Sequence, residues 1–196
     1  MARLTRAESQ ARTREQLIET AKQLFLRDGY SVTSLEKVAD EAGYSKGAVY
    51  SNFRNKDELC LAVLDRIHDE QVALVAGALV GAEGMDGLLA ALQTWAEHSI
   101  GDEAWTALEV EFATNARRNP HVRAELAARD KAIRDTIAGL LTGYAERFGI
   151  TLPMPPDEAA TALLSLGIGL GVQRAIDPTI PVNVLPDVIR LFAGGR

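Results

Sequence analysis

Apolar residues recur at helical spacing along almost the whole chain, and the breaks between them are residues that end helices. Ala21, Leu24 and Phe25 mark a first helix that closes at Gly29-Tyr30. Leu35, Val38, Ala39 and Ala42 then fall at i, i+3, i+4 and i+7, one short apolar face. Thr33 is placed to cap that helix, and Glu36 three positions on would complete a capping box. Gly43 follows the run as a left-handed C′ residue would. Ser45 can cap a second short helix, Lys46 to Phe53, in which Val49 and Phe53 stand at i and i+4 and point back at the preceding helix. Small Ala39 and flexible Gly43 allow a tight angle between the two. Asn55 can cap a third helix, with Lys56 in its first turn.

The remainder is also helical in pattern, with no sustained period-two alternation and no internal repeat. Breakers and caps predict a fourth helix from Lys56 to about Leu79, interrupted by Gly81 to Gly84. Further helices are expected over Asp86–Ile100, Glu103–Arg118, His121–Phe148 and Asp157–Ile176. A last one, with Pro181 in its first turn, ends before Gly194-Gly195. The fold class is therefore all-α, with about nine helices. The domain division expected is 1–56 for the helix-turn-helix region, its first eleven residues a flexible basic arm, and 57–196 for the rest.

The short helix after Ser45 carries the chemistry. Its face away from Val49 and Phe53 presents Ser45, Lys46, Tyr50, Ser51 and Asn52, with almost no bulk at Gly47 and Ala48. Hydroxyls and Lys suit phosphate, and Asn can pair with adenine in the major groove. The bland alternative is a solvated face on a small helical hairpin. Position on the second helix of such a hairpin favours DNA reading. The expected DNA contacts are Thr33, Ser45, Lys46, Gly47, Tyr50, Ser51, Asn52 and Lys56. Of these, Lys46 and Lys56 are assigned to phosphate, and Ser51 and Asn52 to base preference.

Residues 12–64 resemble the N-terminal DNA-binding domain of TetR-type transcriptional repressors. The resemblance runs through Ala21, Leu24, Phe25, Gly29-Tyr30, Thr33, Ala39, Ala42-Gly43, Lys46-Gly47, Tyr50, Phe53, Lys56, Leu59 and Val63-Leu64. It implies a homodimer of all-helical subunits, each with a three-helix DNA-binding domain, a linking fourth helix and a five-helix C-terminal domain around a ligand pocket. The sequence departs at Ser51, where the family often has a bulky or aromatic residue, and at Asn52, where His or another bulky polar residue is common. The resemblance therefore assigns no operator sequence.

Net charge is −6, which taken whole argues against binding a polyanion. Its distribution reverses the argument. Residues 1–56 carry ten Lys or Arg against seven Asp or Glu, a balance of +3; residues 57–196 carry eleven against twenty, a balance of −9. Phosphate contacts act locally, within a Debye length of about 8 Å, so an acidic remainder is no bar. Arg3, Arg6, Arg12 and Arg14 form a basic leader, either an arm on DNA or a solvated tail. The leader lacks the apolar core of a secretory signal, and no run of 18 apolar residues occurs, so no membrane partner is expected. The lone cysteine, Cys60, fits a cytoplasmic protein and a packed helix face better than a redox role.

Residues 162–176, ALLSLGIGLGVQRAI, are apolar nearly all round, which means burial on more than one side. Gly167, Gly169 and Gly171 each cost about 1 kcal/mol relative to Ala inside a helix, and close helix–helix approach would offset this. They are not a dinucleotide loop, since no strand precedes them and the spacing is G-x-G-x-G. The last helix adds Val184, Leu185, Val188, Ile189 and Phe192. A four-helix bundle between two subunits would bury both stripes, and Leu164, Gly167, Gly171, Arg174, Leu185, Val188, Ile189 and Phe192 are its expected interface; a purely intrachain core is the alternative.

Trp95, His98, Trp105, Leu108, Phe112 and Tyr144 fall on the helices that surround the pocket in the resembled family, although aromatics at this spacing are more often core. Glu109 and Glu111 beside Trp105 could receive a cationic ligand, but solvated or salt-bridged carboxylates are commoner. His98 and Asp102 are interrupted by Gly101, which argues against a metal pair. No nucleophile elbow, phosphate loop, zinc-protease helix or Cys–His pair appears, so neither catalysis nor a cofactor is expected. The sequence thus reads as a regulator bound to a palindromic operator in double-stranded DNA and released by a small-molecule effector. The competing class is a structural, nucleoid-type DNA-binding protein with the same reading head and no effector.

Overall fold

The computed structural model describes residues 5–80 and 82–192, without the side chains of residues 79, 80 and 192. Among them are nine helices and no strand: α1 (Arg6–Asp28), α2 (Leu35–Ala42), α3 (Lys46–Asn52), α4 (Lys56–Val80), α5 (Gly84–Ser99), α6 (Glu103–Ala116), α7 (Pro120–Phe148), α8 (Pro156–Ile176) and α9 (Val184–Phe192). The chain forms two compact units. The first comprises residues 1–69 and 107–123, the second 70–106 and 124–196. The first unit therefore runs past the boundary expected at residue 56, into α4, and recruits most of α6.

Local chemistry explains most helix ends. The leader is not an arm from residue 6 onward, because Thr5 and Glu8 form a reciprocal capping box that starts α1 at Arg6. Arg3 lies outside the described residues. Ser34, not Thr33, caps α2: its hydroxyl accepts from the Lys37 N–H at 3.1 Å. Gly43 ends α2 with φ 71°, the left-handed region a side chain disfavours. The Asn55 carboxamide accepts the Glu58 N–H at 2.8 Å and opens α4. Pro181 precedes α9 rather than lying in its first turn, since the helix begins at Val184.

In the first unit, α1, α2 and α3 close on Leu17, Leu24, Phe25, Val38, Val49 and Phe53, all essentially inaccessible. Leu59, Val63 and Leu64 of α4 and Leu108 and Phe112 of α6 are buried in the same unit. Tyr30 links them, its ring 5.8 Å from Phe25 and edge-on to Phe112 at 5.0 Å. Cys60 is fully buried, and burial first, then the charge of Asp57, pushes its thiol pKa up; such a thiol is a packing group, not a redox sensor.

In the second unit, Ala96, Ile100, Leu163, Leu170, Val182 and Leu185 form the core, and Val188 and Ile189 pack against it. Leu185 is thus part of the subunit's own interior rather than an open interface residue. Arg174 is likewise turned inward: Nε donates to the Ile100 carbonyl at 3.0 Å and Nη1 to that of Ile180. Gly101, with φ 91°, brings the α5–α6 turn so close that a Cβ would lie 2.4 Å from the Arg174 Cβ. A Cβ on Gly171 would face Thr106 at 3.8 Å, so this glycine also serves a contact within the chain. Leu164 is half-buried, and the space beside Gly167 and Gly169 is open. The Phe192 side chain lies outside the described residues. By length and composition α8 could cross a bilayer, but its buried Leu163 and Leu170 belong to this core and Arg174 is committed to carbonyls.

Candidate nucleic-acid interface

Burial of Val49 and Phe53 fixes which side of α3 faces outward. Helical geometry then sends Ser45, Lys46, Gly47, Tyr50 and Ser51 to the surface, and all are exposed. The Ser45 hydroxyl accepts the Ala48 N–H at 3.2 Å, so its acceptor is occupied while its own O–H stays available. A Cβ at Gly47 would meet nothing nearer than the Ser45 Oγ at 3.8 Å. The bare backbone there lets another molecule approach the first turn of α3 closely.

The other end of α3 is held from α1. Arg14 Nη1 donates to the Asn52 carbonyl at 2.7 Å, and its guanidinium lies 4.2 Å above the Phe53 ring. Nothing in the spacing of the basic leader distinguished Arg14 from its neighbours; its role needs a contact 38 residues away. Asn52 is half-buried and its Nδ2 donates to the Ala48 carbonyl at 2.8 Å. One of its two amide N–H donors is spent on the helix, which weakens its expected role as a base reader. Ser51 donates to the same carbonyl at 2.9 Å but remains exposed.

A shallow groove beside α3 is lined in part by Ser31, Ser34, Glu36, Tyr50, Arg54 and Lys56. Tyr50 is half-exposed and its hydroxyl donates to Glu36 Oε1 at 2.9 Å. The Glu36 carboxyl is held below its usual range by its own backbone N–H first and by the Tyr50 hydroxyl second. To bind a phosphate, Tyr50 must exchange that carboxylate for it, which is a swap of one anion for another. Arg54 is exposed at the rim, a cation the sequence reading passed over.

Two expected contacts are placed elsewhere. Thr33 is 1% exposed and its hydroxyl donates to the Gly29 carbonyl at 2.9 Å, so its side chain cannot reach DNA. The sequence pattern put the cap at Thr33; Ser34 beside it carries the same hydroxyl and takes the cap instead. Lys56 donates to the Tyr30 carbonyl at 2.9 Å and the Ser31 carbonyl at 3.2 Å, and sits 4.2 Å over the Tyr30 ring. At most one of its three N–H donors remains for an outside anion.

The six aromatic and apolar candidates for a ligand pocket are divided between the two units. Leu108 and Phe112 are interior residues of the first unit. In the second unit the Trp95 indole N–H donates to Gln71 at 2.9 Å, and Tyr144 stacks on Phe148 at 5.9 Å. His98 is exposed, with Nδ1–H donating to the Thr94 carbonyl at 2.7 Å, and Trp105 is half-buried. Asp102 accepts the Trp105 N–H at 2.8 Å as a helix cap. Glu109 pairs with His68 at 2.7 Å, and both oxygens of Glu111 accept backbone N–H groups. Neither acid is therefore free for a cationic ligand.

Comparison with known proteins places this geometry. Residues 17–63 match the family model for bacterial regulatory proteins of the tetR family. Residues 84–192, more than half of the chain, match the model for the C-terminal part of BetI-type transcriptional repressors. The regulator TtgR of Pseudomonas putida is 44% identical over 69 residues, which span 35% of this chain and only 32% of TtgR. The nicotine-responsive transcriptional repressor HdnoR of Paenarthrobacter nicotinovorans is 29% identical over 86% of both chains. A candidate transcriptional regulator from Saccharomonospora viridis, solved in complex with choline, shares the fold with a TM-score of 0.69 at 22% identity, covering 93% of this chain and 95% of that one.

Proposed function

Because the chain belongs to the TetR family of bacterial regulatory proteins, we propose that two subunits place their α3 helices in successive major grooves of a palindromic operator, and that a small molecule bound by the second unit releases the complex. The observation that carries the DNA reading is the outward face of α3: Ser45, Lys46, Tyr50 and Ser51 exposed around a glycine, on a helix fixed from behind by Val49, Phe53 and Arg14. Lys46 supplies a phosphate contact. Ser45 and Ser51 supply short donors at base edges, and Gly47 supplies the clearance. Tyr50 binds phosphate after leaving Glu36.

A second subunit is supported by α8. Ile168 is 51% exposed, and the glycines on either side have open space beside them. Such a face permits close approach of a second helix at the positions Leu164 and Gly167. Effector control requires that the ligand favour the conformation that does not bind DNA; equal affinity for both would shift nothing. Nicotine and choline are the first probes to try, because one similar regulator is nicotine-responsive and another was solved with choline. Repression in the cytoplasm, where the operator is, completes the reading. The test is a salt titration of binding to a selected operator. Lys46→Ala should lower the slope of log affinity against log salt by about one, for every sequence alike. An unaltered slope would remove Lys46 from the phosphate footprint.

A further inference from the structure

In the turn that leads into α2, all four backbone polar groups of Tyr30 and Ser31 are taken by two charged side chains. Glu111 of α6 accepts the Tyr30 N–H at 2.7 Å through Oε2 and the Ser31 N–H at 2.9 Å through Oε1. Lys56 of α4 donates to the Tyr30 and Ser31 carbonyls. The Tyr30 hydroxyl donates to Asp57, which in turn accepts from Asn119 Nδ2 at 3.3 Å. Phe112, next to Glu111, packs edge-on to Tyr30. Thr33, directly after the turn, is buried and tied back to Gly29, and Ser34 then caps α2. The turn therefore determines where α2 begins, and α2 is the helix against which α3 packs.

Glu111 is itself an anion, partly buried and unsuited to contact DNA, and α6 is far in sequence from the helix-turn-helix. Bidentate capture of two successive N–H groups by one carboxylate is geometrically demanding and stronger than neutral hydrogen bonding. We propose that Glu111 is a positioning residue for the DNA-reading head: by holding the Tyr30 and Ser31 N–H groups against the hold of Lys56 on their carbonyls, it sets the entry of α2, so that loss of its carboxylate weakens DNA binding without removing any DNA contact. The inference rests on the DNA reading above and adds a residue that positions the head for it.

Glu111→Gln tests it with little change of shape. A carboxamide offers one oxygen where the carboxylate offers two, so one N–H loses its acceptor. Glu111→Ala removes both. Operator affinity should fall in the order wild type, Gln, Ala, with the Ala variant down by about tenfold or more. The salt slope should stay at the wild-type value in both, because no phosphate contact is lost. Backbone amide exchange should rise at residues 30 and 31 in the same order. Faster exchange at those amides with wild-type affinity in both variants would overturn the proposal and leave Glu111 a purely structural group. A reduced salt slope would overturn it too, since the effect would then lie in the phosphate footprint. A wild-type protein that enriches no DNA sequence would instead refute the DNA reading itself, and the exchange data would still report on the turn.

Discussion

Gly47→Glu separates folding from DNA binding at a single position. The glycine lies in the first turn of α3 and is not among the positive-φ glycines, so an L side chain meets no backbone strain there. The nearest atom to an added Cβ is the Ser45 Oγ at 3.8 Å, an ordinary contact. Replacing a helical glycine removes backbone entropy from the unfolded chain and gains roughly 0.5–1 kcal/mol. A carboxylate in a helix's first turn adds about 0.3–1 kcal/mol through the dipole. The variant should therefore melt at or a few degrees above wild type, given about 2–4 °C per kcal/mol for a chain of this size. On DNA the same carboxylate stands beside Lys46 and among phosphates. Like-charge juxtaposition at an interface costs several kcal/mol, so affinity should drop by about 100-fold or more. Circular dichroism melts and fluorescence anisotropy with a labelled duplex give the two readouts. Unchanged affinity would refute the placement of the first turn of α3 against DNA. A clear loss of thermal stability would refute the claim that space exists at residue 47.

Phe53→Ala should behave in the opposite way. The ring is fully buried and also supports Arg14, so its loss should cost about 3–5 kcal/mol and binding should fail through unfolding of the head; intact melting with lost binding would make Phe53 a contact residue. Gly167→Leu should weaken dimerisation in sedimentation while leaving the head folded, because the space beside Gly167 is open within its own chain; a variant that stays fully dimeric would put the interface elsewhere. Glu111 should contribute a pH-dependent stability. Burial works against its charge, but hydrogen bonds from Ser31 and Tyr30 and the nearby Lys56 outweigh it and hold its carboxyl below the ordinary value of 4.5. With the folded value depressed, the contribution is complete above the ordinary value and fades as pH falls through the folded one. Urea midpoints from about pH 6 down to about pH 3 should therefore fall less steeply in Glu111→Gln than in wild type, with Asp57 and Lys56 unaltered in both; parallel curves would contradict this.

The helices were legible because their signals are local. Gly43, Ser45 and Asn55 act on backbone groups within a few residues of themselves, and the structure places each where the pattern predicted. The outward face of α3 was legible for a related reason, since burial of Val49 and Phe53 leaves only one orientation for the rest. What failed to read out depends on distant partners. Thr33 and Ser34 are equivalent as caps in sequence, and only the hydrogen bond of Thr33 to Gly29 separates them. Lys56 looks like a phosphate ligand until the carbonyls of residues 30 and 31 are seen to occupy it. Arg174 and Leu185 lie on apolar helices that suit an interface, yet Ile100, Ile180 and Ala96 take them into the subunit's own core. Glu111 carries no motif, because its partners lie some 80 residues away.

Selection of DNA from a random duplex pool by the full-length protein tests the central claim most directly. Enrichment is expected of a sequence with two inverted half-sites about one helical turn apart, bound by wild type and not by the Gly47→Glu protein. Enrichment of no sequence by wild type, or of the same sequence by both proteins, would contradict it.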